Sequence, residues 1–164
     1  MWVSGFLIIY LPLMWDWIPT DLAHRYYCKK EAGLWIYKTL DQWKAENPGV
    51  YETLVYDGNI PFKWVYDNGN EGKKTIDFLN KRVGVSFERK RVISFLILEK
   101  YVLEVIDLKN SNVLAKYIDF NYDGGKPALG TGYKIWMAAA YCPNGSTLER
   151  RFFEFERLFK GAEK

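Results

Sequence analysis

The chain has 164 residues, with 23 Lys and Arg against 20 Asp and Glu, one His, and a net charge of +3 at pH 7. That length suits one domain with a real core and is too short for two comfortable ones. The mild basicity permits attraction to anionic lipid head groups but demands no nucleic-acid partner, and an aromatic content of 18% reads as a small core stabilised by large rings rather than as a stacking platform.

Residues 1–18 are apolar except for Ser4 and Asp16, and the run closes on Trp15 and Trp17 before Pro19. At ~1.5 Å of rise per residue such a run can just cross a hydrocarbon core of ~30 Å, and tryptophan favours the water interface. The expectation is a transmembrane or signal-anchor helix over 1–18. Pro12 is tolerable in such a helix, and the lack of a small-residue cleavage site before Thr20 favours an anchor that stays. Beyond it lie all 23 basic residues and 19 of the 20 acids, a net charge of +4, in a single domain spanning 20–164.

Thr20 can cap a helix from Asp21 to Ala32, with Gly33 as its stop. Leu34 to Lys38 reads as a short strand. Thr39, with Gln42 three positions on, makes a capping-box signal for a short helix that Pro48-Gly49 ends. Val50 to Tyr56 and Phe62 to Tyr66 are strand candidates, with turns at Asp57-Gly58-Asn59 and Asp67-Asn68-Gly69. Residues 73–82 carry no clear pattern. Val83 to Arg89, Val92 to Glu99, Tyr101 to Leu108, Val113 to Tyr122 and Tyr133 to Ala140 then read as strands, and the short link at residues 109–112 implies an antiparallel hairpin. Ser146 or Thr147 starts a last helix to Lys160. Its Leu148, Phe152, Phe155 and Phe159 repeat at i, i+4, i+7 and i+11, and Arg150–Glu154 and Glu156–Lys160 pair on its polar side. The fold class that results is α+β: an N-terminal membrane helix, a helical start, a mostly antiparallel sheet of about five strands, and a C-terminal amphipathic helix packed on the sheet.

Three groups of residues could carry chemistry. Asp21, His24 and Cys28 recur at i, i+3 and i+7 on one helical face, so a carboxylate, the sole imidazole and a thiol could activate a nucleophile or bind a metal. Asp119, Asn121, Asp123 and Gly124 match the first half of a calcium loop, which then fails because position twelve is Gly130 and Lys126 intrudes. Cys28 and Cys142, far apart in sequence, suit a disulfide formed in an oxidising compartment; two buried free thiols are the alternative. Gly125 to Gly132 lacks the lysine of a phosphate loop, and Asn144-Gly145-Ser146 is a glycosylation sequon by pattern. No cofactor is implied.

Topology signals conflict. Arg25, Lys29, Lys30 and Lys38 follow the apolar run closely, which by the positive-inside rule keeps the domain in the cytoplasm, whereas the cysteine pair favours an extracytoplasmic, periplasmic placement. The segments Asp16-Trp17-Ile18-Pro19-Thr20, Ala23-His24-Arg25-Tyr26-Tyr27-Cys28, Lys30-Glu31-Ala32-Gly33, Trp35, Tyr37-Lys38-Thr39 and Gln42-Trp43 resemble small uncharacterised bacterial proteins that begin with a hydrophobic segment. The resemblance covers the first third of the chain and implies a bacterial membrane-anchored envelope protein, with no activity to carry over. The leading expectation is thus a non-enzymatic, membrane-tethered binding module, held to lipid by its N-terminal helix and meeting a protein or envelope partner. Its rivals are a small thiol enzyme using Cys28 with His24, and a cytoplasmic-facing peripheral protein whose basic clusters hold anionic lipid.

Overall fold

A computed structural model describes residues 15–56, 63–66, 73–122 and 140–163. The first helix, α1 (Trp17–Glu31), leads into β1 (Gly33–Ile36), the short helix α2 (Leu40–Glu46), a 3-10 turn at Tyr51–Thr53 and β2 (Val55–Tyr56). Strands β3 (Lys63–Tyr66), β4 (Lys73–Phe78), β5 (Val83–Arg91), β6 (Glu99–Asp107) and β7 (Asn112–Tyr122) follow. The chain then runs through β8 (Ala140–Tyr141), α3 (Gly145–Arg157) and β9 (Ala162–Glu163). Seven strands form one antiparallel sheet in the order β1-β7-β6-β5-β4-β3, with β8 also paired to β7, while β2 and β9 pair in parallel.

Strand β7 organises the interior because side chains alternate across a strand, and here both faces are covered. Tyr117, with Val83 and Val85 of β5 and Val105 of β6, packs against Phe152, Phe155 and Phe159 from α3 and its C-terminal turn, and against Trp43 of α2. Ile118 and Phe120 face the other way, onto Ala23, Tyr27 and Cys28 of α1 and onto Leu96 and Leu98 from the β5–β6 connection. Helices therefore lie on both faces of the sheet. The expected stripe Leu148, Phe152, Phe155 and Phe159 does dock on the sheet, and the two ion pairs form at 3.9 and 3.7 Å.

Several boundaries move, each for a local reason. Helix α1 starts at Trp17, so Thr20 lies inside it, fully buried, and Gly33 opens β1 instead of stopping the helix. The capping box at Thr39 forms as expected: Gln42 N–H donates to Thr39 Oγ1 and Thr39 N–H donates to Gln42 Oε1. Residues 51–53 coil into a 3-10 turn, leaving only Val55–Tyr56 paired as a strand. The patternless stretch holds a strand, β4, because its partner β5 supplies the ladder from Lys73↔Arg89 to Phe78↔Gly84. Conversely, residues 92–98 are no strand. They form a loop closed by Val92 N–H to Leu98 O at 2.9 Å, and Leu96 and Leu98 plug the core beneath α1. The hairpin at 109–112 joins β6 to β7, with Asp107 opposite Asn112. Helix α3 begins at Gly145, after Asn144 at φ 65°, and not at a Ser146 or Thr147 cap. Gly145 carries no side chain for a steric reason: a Cβ there would sit 2.8 Å from Asp119 Oδ2.

Among the described residues no helix is long and apolar enough to cross a membrane. The expected 1–18 helix also overreaches at its end, since Trp17 and Ile18 belong to α1 and Asp16 is buried at its start. Residues 1–14, the turns at 57–59 and 67–69, most of the expected 133–140 strand, Asp123 and the 125–132 glycine-rich segment lie outside the described residues.

Candidate functional site

The sequence elements that place chemistry converge where α1 crosses β7. Cys28, in the last turns of α1, is joined to Cys142, which directly follows β8, with Cα atoms 5.3 Å apart. That spacing is the ordinary one for a disulfide. The bond clamps α1 to the β8–α3 connection across a sequence separation of 114. His24, one turn before Cys28, is buried, and its Nε2 stands 3.1 Å from Phe120 O and 3.3 Å from Cys28 Sγ. A carbonyl oxygen only accepts, so Nε2 carries the proton and shares it between the carbonyl and the sulfur. The ring also meets Tyr122 edge-on at 5.0 Å between centroids.

This arrangement departs from the expected triad in two ways. Cys28 is bonded, so it offers no thiolate, and His24 presents an N–H to it in place of a base's lone pair. Asp21 is engaged with other partners: it forms an ion pair with Arg25 at 2.9 Å and accepts a hydrogen bond from the Tyr122 phenol, whose pKa is raised by burial and then by the Asp21 charge. Cys142 takes its place. Ligand atoms of His24, Cys28 and Cys142 lie within 4.8 Å of one another, a grouping legible in sequence only as two separate hints.

The half-calcium motif is equally committed elsewhere. Asp119 Oδ1 accepts from Phe120 N–H at 2.8 Å and from Cys142 N–H at 3.3 Å, and Tyr117 O–H lies 3.0 Å from Oδ2. The carboxylate thus secures the backbone on which Cys142 sits. Burial, reinforced by that carboxylate, pushes the Tyr117 phenol far above its ordinary pKa. Asn121 is buried on the same face of β7, and its partner from sequence, Asp123, lies outside the described residues.

Two features escaped the sequence reading. Trp43 Nε1–H donates to Asp107 Oδ2 at 3.0 Å, and Arg82 forms an ion pair with the same buried carboxylate while reaching Asn47 Oδ1 at 2.8 Å, tying α2 to the ends of β5 and β6. An aromatic, an acid and a base far apart in sequence leave no local pattern. The second is an apolar groove between β1 and α3, lined by Leu34, Ile36, Leu148, Phe155 and Leu158, with Arg151 and Glu154 at its rim. The sequon asparagine Asn144 is exposed immediately before α3. No family model, curated protein or solved structure matches this chain.

Proposed function

We propose that this chain is a membrane-tethered extracytoplasmic domain that acts as a non-enzymatic binding module. The observation that carries the reading is the Cys28–Cys142 pairing. It spends both sulfurs on a structural clamp, engages the one imidazole with a backbone carbonyl, and suits a compartment where disulfides persist. The apolar run before Trp15 supplies the tether, and the resemblance of the first third to bacterial envelope proteins fits the same placement. The partner in this reading is a protein or other envelope component.

The test has two arms on the full chain. Alkaline extraction of membranes should leave the wild type in the pellet and release a Leu7→Arg/Ile8→Arg variant, since each central charge costs ~2.5–3.5 kcal/mol on insertion scales. A reporter fused after Lys164 should be active only in its periplasmic form. A wild type that is soluble without detergent refutes the tether, and activity confined to a cytoplasmic reporter reverses the topology.

The thiol-enzyme reading keeps one observation in its favour, the 3.3 Å contact between His24 Nε2 and Cys28 Sγ. It requires Cys28 to be alkylated in the untreated protein. Protection until a dithiol is added supports the clamp.

A further inference from the structure

Helix α1 leaves several large apolar side chains exposed while it buries polar ones. Against the sheet it packs Ala23, Tyr27 and Cys28 together with the buried Thr20 and His24, while Ile18, Leu22 and Tyr26 face outward with 51%, 62% and 55% of their surface exposed, and Trp15, just before the helix, is 46% exposed. At ~100° per residue the three helical positions Ile18, Leu22 and Tyr26 fall in an arc of ~80°, so they form one stripe. A helix facing water ordinarily turns such large apolar side chains to the core. His24 is held inward by Phe120 O and Asp21 by Tyr122, while Ile18, Leu22 and Tyr26 stay exposed on the other side.

Charge and chain continuity identify what covers it. Arg25, Lys29 and Lys30 are exposed on the same side, and Lys30 Nζ donates to Tyr26 O–H at 3.0 Å while lying 5.2 Å from the ring centroid. Exposed aromatic and aliphatic side chains beside cations suit a bilayer interface, where apolar groups reach the acyl boundary and cations the phosphates. The stripe also begins where the apolar run ends, since the 14 residues before Trp15 contain no Asp, Glu, Lys, Arg or His. We infer that the outer face of α1 is a lipid-contact surface that seats the domain flat on an anionic bilayer. This inference rests on the tethered reading above and adds to it a second, peripheral contact.

The experiment separates the two contacts. In the full chain, Leu7→Asp/Ile8→Asp disables insertion of the apolar run without adding positive charge. That variant should still sediment with vesicles of phosphatidylcholine and phosphatidylglycerol, but not with phosphatidylcholine alone, and salt should release it. Adding Ile18→Glu/Leu22→Glu should weaken the residual partition at least tenfold while leaving the melting temperature unchanged, because both side chains are exposed. Replacing Lys29 and Lys30 by Gln should reduce the phosphatidylglycerol preference about fivefold for each cation. Partition that is indifferent to Ile18→Glu/Leu22→Glu, or to Lys29→Gln/Lys30→Gln, overturns the inference. So does a vesicle-free dimer that the Ile18→Glu/Leu22→Glu change dissolves, which would make the stripe a self-interface. Failure of the tether reads out separately, as a wild type that washes off vesicles as readily as the Leu7→Asp/Ile8→Asp chain.

Discussion

Removing either cysteine should cost a similar, large amount of stability, and removing both should cost little more than removing one. The bond closes a loop with a sequence separation of 114. Loop-closure entropy for that length corresponds to ~5 kcal/mol at 25 °C, against a total of ~5–15 kcal/mol for a domain of this size. Cys142 is nearly buried and Cys28 half-buried, so alanine at each position also loses some packing, a smaller contribution that differs between the two. The assay is urea unfolding of Cys28→Ala, Cys142→Ala and the double variant, with and without a dithiol. Expected outcomes are single-variant losses within about 1 kcal/mol of one another, a double variant close to either single, and a wild type that falls to their level when reduced. Tm should drop by roughly 10–20 °C. Additive losses, or a wild type whose stability ignores the reductant, would refute a cross-link between α1 and the β8–α3 connection.

Three further outcomes follow from the same geometry. Phe152→Ala empties a fully buried site between α3 and Tyr117, and denaturant melts should record a loss of ~3–5 kcal/mol; a loss below about 1 kcal/mol would mean that α3 does not close this core. Glu104 is partly buried, which by itself raises its pKa, but the hydrogen bond and charge of Lys116, with Lys74 beyond, hold it below the usual carboxylate value. Its contribution to stability is therefore present above the unfolded-state value and lost as pH falls through the folded one, so Glu104→Gln should flatten the acid limb of a stability profile and leave the alkaline limb alone. Millimolar calcium should not move the melting temperature, because Asp119 already accepts hydrogen bonds from two backbone N–H groups; a rise of several degrees abolished by Asp123→Ala would restore the calcium loop.

Local chemistry was legible in the sequence wherever a local rule decides it. The capping box at Thr39 and Gln42, the apolar stripe of α3 and the 109–112 hairpin each rest on spacings within a few residues, and each stands where those spacings put it. Strand β4 left no signal because a strand is stabilised by its neighbours, and β5 is what holds residues 73–78 extended. Residues 92–98 look like a strand for the opposite reason: their apolar side chains satisfy a core from a loop, which alternation alone does not distinguish from a sheet. The site divided the same way. Sequence alone put Asp21, His24 and Cys28 on one helical face and offered Cys142 as a disulfide partner for Cys28. Only the tertiary structure decided that the sulfurs meet each other, that His24 donates a hydrogen bond to Phe120 O, and that α1 buries Thr20 and His24 while Ile18 and Leu22 stay exposed. Those outcomes depend on where β7 crosses the helix, and a contact across 96 residues of chain has no periodicity from which it could be read.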